Sequence, residues 1–294
     1  MLMLLAASIA FGLMAFLVKI ATRELPGSQV ALVRFLVALA PLLVIPAARR
    51  ASMRVERFRP LILRGLFGGT AVLLYFTAIS HIPVGVAALL NTTAPIFSGM
   101  FAAAFLNERL RPTVVIPLFI AMAGIFLVVQ GHSTSTEVLG FGPWELMALA
   151  SALCAAAAVT AIRGARRTEG TWATVTSLSL FGLVATAPLA LLHWRPPTAL
   201  GWLLMVLAGL FGLTGQLLMT WAYRWVETLI AGVITQFTVI VAMSLGVFFL
   251  DDDLSGMVLG GTSLTMLGVV SVIALSRKRS QDIAAVDPPR PTVI

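Results

Sequence analysis

The stretch LRGLFGGTAVLL, Leu63–Leu74, returns 144 residues later as LAGLFGLTGQLL, Leu207–Leu218, with eight of twelve positions identical. The register then holds without a gap. Phe105-Leu106-Asn107-Glu108-Arg109-Leu110 falls on Phe249-Leu250-Asp251-Asp252-Asp253-Leu254, and Met122 and Gly124 fall on Met266 and Gly268. Apolar sequences share residues by chance, but an ungapped match across three hydrophobic stretches marks a duplicated unit.

Composition says what that unit is made of. The 294 residues are 59% hydrophobic and 11% charged, with a mean hydropathy of +1.00. An average soluble protein is about one-quarter charged, and no soluble fold of this length has interior enough for so much apolar side chain. A membrane helix needs about 20 apolar residues. Such stretches lie at 2–22, 27–47, 60–80, 84–106, 112–130, 143–163, 171–192, 199–223, 228–250 and 255–276. The expected fold is an all-α polytopic membrane protein of ten transmembrane helices. The duplicated unit then holds five helices, an odd number, so the two copies must lie in opposite orientations. Two inverted five-helix repeats are expected at 1–138 and 139–276, followed by a basic, proline-containing cytoplasmic tail, 277–294, without order. Inverted repeats are the architecture of many secondary transporters. The first stretch has no cleavage-like site and runs into Lys19 and Arg23, so it is expected to be a retained span and not a signal peptide.

The net charge of +8 would suggest nucleic acid in a soluble protein. Here sixteen of the 20 cations fall on one side of the ten-span order, among them Arg49, Arg50, Arg54, Arg57, Arg59, Arg64, Arg109, Arg111, Arg163 and Arg224. By the positive-inside rule that side is cytoplasmic, and so are both termini. The charge is a topology signal, and nucleic acid is not an expected partner. The single Cys154, next to Ala155–Ala158, forbids an internal disulfide and reads as a small packing residue.

The pattern resembles the EamA type of the drug/metabolite transporter superfamily. The resemblance rests on Lys19-Ile20-Ala21, Val33-Arg34-Phe35-Leu36, Tyr75-Phe76-Thr77-Ala78-Ile79, Thr93-Ala94-Pro95-Ile96-Phe97 and Leu106-Asn107-Glu108-Arg109-Leu110, and covers about residues 5–275. It implies ten spans, alternating access and a place in the bacterial inner membrane. It also implies a gate or helix-end role for Glu108 and Asp252, for which a solvated loop carboxylate is the alternative. The second half departs from the pattern: Val239 stands where span nine would carry a proline, and Asp251-Asp252-Asp253 replaces a single glutamate.

Charge inside a span is functional by default. Ser8, Gly12, Ala15 and Lys19 form one small, polar stripe on span one. Lys19 either attracts a cargo carboxylate or reaches the outer interface, and Arg34 either binds a carboxylate or bonds helix ends. In span four, Pro95 removes the bond to the residue-91 carbonyl and should bend the helix, beside Asn91, Thr92 and Ser98. The repeat partner, Thr235-Gln236, completes either a central substrate site or polar packing between helices. Gln216, Thr220 and Tyr223 make another polar face, and Tyr75, Trp172 and Trp221 are candidate cavity walls or ordinary interface aromatics. Gly65/Gly69 and Gly256/Gly260 have the spacing that lets helices approach closely.

The motifs of catalysis are missing. Gly131-His132-Ser133-Thr134-Ser135 lacks the final glycine of a nucleophile elbow, and neither a zinc, P-loop nor dinucleotide signature occurs. No enzyme activity, metal or cofactor is expected. Asp and Glu are absent from the middle of every span, whereas proton-driven cation exporters keep one there. Neutral, zwitterionic or anionic cargo follows. The expected function is export of small metabolites, amino acids foremost, as in carriers resembling the YddG aromatic amino-acid exporters. Another cargo class (nucleotide sugar, purine or hydrophobic drug) is the alternative, and an intramembrane enzyme or scaffold the more distant one. The expected partners are the small-molecule cargo and membrane lipid, with the chain acting as a monomer.

The topology is directly testable. In a chain with Cys154 replaced by serine, Met53→Cys is expected to react with an impermeant maleimide from the cytoplasmic face; labelling confined to the outer face would reverse the orientation.

Overall fold

The computed structural model describes residues 2–53, 55, 58–94, 96–97, 101, 112–132, 142–162, 170–222, 234–252 and 255–286. Among these the chain is helical throughout: α1 Leu2–Ala21, α2 Gly27–Val44, α3 Pro46–Met53, α4 Phe58–Ile79, α5 Val84–Asn91, α6 Pro112–His132, α7 Pro143–Ile162, α8 Thr171–Leu192, α9 Ala199–Ala222, α10 Phe237–Leu250 and α11 Gly256–Val286. Proline sets several starts. Pro26 and Pro83 cap α2 and α5, and Pro46 and Pro143 open α3 and α7, where the missing N–H is one that no helix could use. Six described helices are long and apolar enough to cross a membrane, and parts of α6, α10 and α11 are shorter apolar segments.

Two boundaries differ from expectation. The second span stops at Val44, because Pro46 forces Ile45 into an extended conformation, and α3 follows as a separate short helix. The tail expected to lack order is helical to Val286. Residues 277–286 are mostly good helix formers, and a chain leaving an existing helix has no nucleation cost to meet. Pro288 and Pro289 lie beyond the described residues.

Helix contacts come in pairs that exchange when the halves are swapped. α1 packs on α9 and α7 on α4; α9 also packs on α2, and α4 on α8. α1 meets α10 as α7 meets α5, while α2 with α8 and α6 with α11 are pairs in themselves. The shared core is rich in small residues, including Ala15, Ala31, Ala78, Ala87, Ala88, Ala208 and Ala242. Large apolar side chains such as Leu36, Phe119, Leu180, Leu203, Phe248 and Leu267 face outward. That inversion of the soluble pattern suits a surface solvated by lipid tails, where helices associate through close packing. Trp144, Trp194 and Trp202 stand at helix ends on one side of the bundle, and Trp172 and Trp221 at helix ends on the other. Belts of tryptophan at two levels mark the two membrane interfaces.

Glycine makes the closest crossing possible. A Cβ on Gly69 of α4 would overlap the Gly182 Cα of α8, and one on Gly65 would come 2.7 Å from the Ser177 carbonyl oxygen. The second glycine pair does not do the same. Gly256 and Gly260 face open space, and it is on Gly261, one position on, that a Cβ would come 2.7 Å from the Gly124 carbonyl oxygen of α6. The spacing is right in both pairs, but only the packing partner decides which face of the helix is used.

Gly69→Leu is therefore expected to lower the thermal stability of the detergent-solubilised protein by about 1–3 kcal/mol. Gly260→Leu, in open space, should leave the melting temperature unchanged. Equal losses from both would show that the α4–α8 crossing is not the tight one.

Candidate substrate site

Two helices that should run unbroken stop short near each other. The fourth apolar stretch, expected as one helix, is interrupted at Thr92 and Thr93, and helical residues resume at Ala94. Threonine hydroxyls explain the break: Thr92 Oγ1 donates to the Leu89 carbonyl at 2.9 Å and Thr93 Oγ1 to the Leu90 carbonyl at 2.6 Å. Side chains that bond the preceding turn offer the backbone an alternative to the helix ladder. The ninth stretch breaks at Gln236, before α10, although Val239 replaces the expected proline. The break positions, Thr92 and Gln236, are 144 residues apart and touch, Gln236 Nε2 lying 3.5 Å from the Thr92 carbonyl oxygen. Pro95, Glu108 and Tyr223 lie outside the described residues.

Polar side chains tie these breaks to the flanking helices. Asn91 Nδ2 donates to Ser151 Oγ of α7 at 2.8 Å, and Ser8 Oγ of α1 donates to the Ile234 carbonyl at 3.0 Å. The two bonds join the same pair of elements in each half, the first helix of one with the broken helix of the other. Ser151 was not anticipated. Its signal in the sequence is its position 143 residues after Ser8, one step from the repeat register.

Arg34 is the deepest cation, 5% exposed, and lies between α9, α1 and α4. Gly212 of α9 makes room for it: a Cβ there would come within 2.7 Å of Arg34 Nε and 2.9 Å of Met14 Sδ. The guanidinium carbon sits 5.3 Å from the Phe35 ring centroid and 5.6 Å from that of Phe76, within range of a cation–π contact. Tyr75, buried beside Phe76, is close enough to interact with it electrostatically. Arg34 Nε and Nη1 are nevertheless buried without a hydrogen-bond partner, and so is Gln216 Nε2, one helical turn beyond Gly212 on the same face of α9. Each such donor costs about 1–3 kcal/mol. A cluster of donors without acceptors is chemically matched to an acceptor-only group, above all a carboxylate.

Lys19 is elsewhere. Its Nζ donates to the Ile82 carbonyl at 2.8 Å, and Asp252 adds electrostatic attraction. Asp252 Oδ2 accepts from the backbone N–H of Val84 at 3.2 Å, the first residue of α5. The Asp252 carboxylate thus sits at the positive end of a helix dipole. Together these contacts join the end of α1, the α4–α5 connection and the end of α10. The ring of His81 in that connection stacks on Trp144 at the start of α7, centroids 3.4 Å apart. Of the anticipated residues, then, the structure brings Ser8, Asn91, Thr92 and Gln236 to the helix breaks. It buries Arg34 beside Tyr75, places Gln216 one turn from Gly212 on the same face of α9, and sets Lys19 and Asp252 apart at one end.

The chain is similar to known proteins over most of its length. A family profile described as the EamA-like transporter family matches residues 1–130 and 142–274. The pseudopaline exporter CntI of Pseudomonas aeruginosa is 30% identical over 279 residues, covering 93% of this chain and 94% of that one. A probable terminal-alkyne amino-acid exporter of Streptantibioticus cattleyicolor is 32% identical over 110 residues, 35% of this chain and 36% of that one. A crystal structure with 22% identity superposes with a TM-score of 0.64, covering 94% of this chain and 98% of that chain, and shares the fold.

Because Arg34 is buried with unpaired donors, and a charge in the membrane costs roughly 3 kcal/mol, Arg34→Gln is expected not to lower the melting temperature. A clear drop in thermal stability would instead make Arg34 a structural residue.

Proposed function

The chain belongs to the EamA-like transporter family, and we propose that within it the protein exports small carboxylate-bearing metabolites, amino acids foremost. The observation that carries this is the buried, unpaired donors Arg34 Nε and Nη1, with Gln216 Nε2 also unpaired one turn beyond Gly212. The absence of mid-span Asp or Glu weighs in the same direction. An amino acid in the hydrocarbon needs a partner for its carboxylate, and Arg34 is the cation deep enough to be one. The broken helices suit the rest of a zwitterion. The last carbonyls of α5 favour an ammonium group, and the first N–H groups of α10 favour an anion. Relatives named for exporting pseudopaline and an alkyne-bearing amino acid support outward transport.

The reading includes ten spans in two inverted five-helix repeats. Its support is the exchange of helix contacts between halves and the meeting of Thr92 with Gln236. Residues related by a two-fold axis touch only if they lie on it, and the axis of an inverted repeat runs through the bilayer midplane. Both termini are then cytoplasmic, in a bacterial inner membrane. The end closed by Lys19, Ile82, Val84 and Asp252 faces outward, so release of cargo requires those contacts to part. The protein performs no chemistry on its cargo and acts by alternating access.

Uptake into proteoliposomes tests the reading with labelled amino acids and their carboxamides, in wild type and Arg34→Gln. Loss of one charge-assisted pair should reduce amino-acid transport by about tenfold or more while sparing the amide. Equal loss for both cargoes, or no loss for either, would overturn the carboxylate role.

A further inference from the structure

A cavity lies away from the Arg34 donors. It encloses about 470 Å3 and is lined by Ala51 of α3, Gly170, Thr171 and Trp172 at the start of α8, and Leu217, Leu218 and Trp221 near the end of α9. By helical spacing Leu217, Leu218 and Trp221 stand on the side of α9 opposite Gly212 and Gln216, so the body of that helix separates the cavity from Arg34. Its volume falls within the range of small-molecule sites, roughly 300–1,000 Å3. Two tryptophans on the wall place it at a membrane–water interface, where indole rings meet lipid headgroups.

The chemistry at this cavity has two halves. Leu217, Leu218 and the indole rings make an apolar wall. At its polar edge, Thr171 Oγ1 is buried with no hydrogen-bond partner. Beside it the first N–H groups of α8 have no intrahelical acceptor, and the cap, Gly170, supplies none from a side chain. Arg49 and Arg50 stand exposed on α3, directly before Ala51 in the sequence. Ala48, one turn before Ala51, is buried and α3 packs on α8, so Ala48 and Ala51 face inward while Arg49 and Arg50 stand in solvent on the other side of the same short helix. Arg54, Arg57 and Arg59 follow in the sequence.

We propose that this cavity is a binding site for one anionic phospholipid. An acyl chain lies between Trp172 and Trp221, and the headgroup phosphate accepts from Thr171 and the α8 N-terminus in the field of Arg49 and Arg50. Charge complementarity selects the occupant. A polybasic segment at the interface favours anionic over zwitterionic headgroups, and the apolar wall favours a lipid over a soluble phosphate. The lipid ties α3 to α8 and α9 at the cation-rich end, the end opposite Lys19 and Asp252.

Native mass spectrometry of the full-length protein in detergent tests this, with added phosphatidylglycerol or phosphatidylcholine of matched chains. Phosphatidylglycerol should remain bound under conditions that strip phosphatidylcholine. The Arg49→Gln/Arg50→Gln pair, on an exposed helix face, should weaken its retention about fivefold for each charge removed, and Thr171→Val should weaken it further, with melting temperatures unchanged. Trp202→Ala, at the opposite end, should have no effect. Equal retention of both lipids, or retention unaffected by the arginine pair, would overturn the proposal. So would displacement of the lipid by glycerol 3-phosphate at the same concentration, which would mark a soluble-phosphate site. None of these readouts depends on what cargo the carrier moves.

Discussion

Lipid offers a polypeptide no hydrogen bonds, and the architecture follows from meeting that demand inside the chain. Wherever the helix ladder is complete, the backbone can face hydrocarbon, and long helices such as α4, α8 and α9 do so with bulky apolar side chains. Where it is broken, at Thr92–Thr93 and at Gln236, the freed groups have to be met by neighbours. Threonine hydroxyls, an asparagine, two serines and a glutamine side chain perform that task within the bundle. Irregular backbone at membrane depth is tolerated only where protein or a cavity surrounds it, so the same constraint that forbids breaks on the lipid face concentrates polar backbone where cargo can use it.

Close packing and binding are coupled through glycine. At Gly69 and Gly182 the absence of a side chain brings two helices together, whereas at Gly212 it admits the guanidinium of Arg34. The first use stabilises the fold. The second places a cation with unpartnered donors in a low-dielectric interior, against the rings of Phe35 and Phe76.

The two ends of the bundle differ in their electrostatics. At one, Lys19 and Asp252 act on backbone groups and on each other, holding α1, α5 and α10 together with few charges. At the other, Arg49 and Arg50 stand exposed on α3, which packs against α8.

Much of this was legible in the sequence. Length and hydropathy alone exclude a soluble fold, because burial capacity scales with size and this chain exceeds it. The 144-residue self-match announces a duplication, and Ser8, Arg34, Asn91, Gln216 and Gln236 stand out because polar groups in hydrocarbon are costly and rarely idle. Other features required the tertiary structure. Lys19 and Arg34 look alike as cations within spans, yet one spends its charge on a backbone carbonyl and the other keeps two donors, Nε and Nη1, buried without an acceptor. Gly65/Gly69 and Gly256/Gly260 share a spacing, yet only the first pair has a helix against it. The break in the ninth stretch needs no proline, and Ser151 gains its role only by standing opposite Asn91. Periodicity and composition act along one helix and can be read from it. Which donors remain unpaired, and which glycines are filled, is decided by the helix packed alongside, and a linear sequence does not say which helix that is.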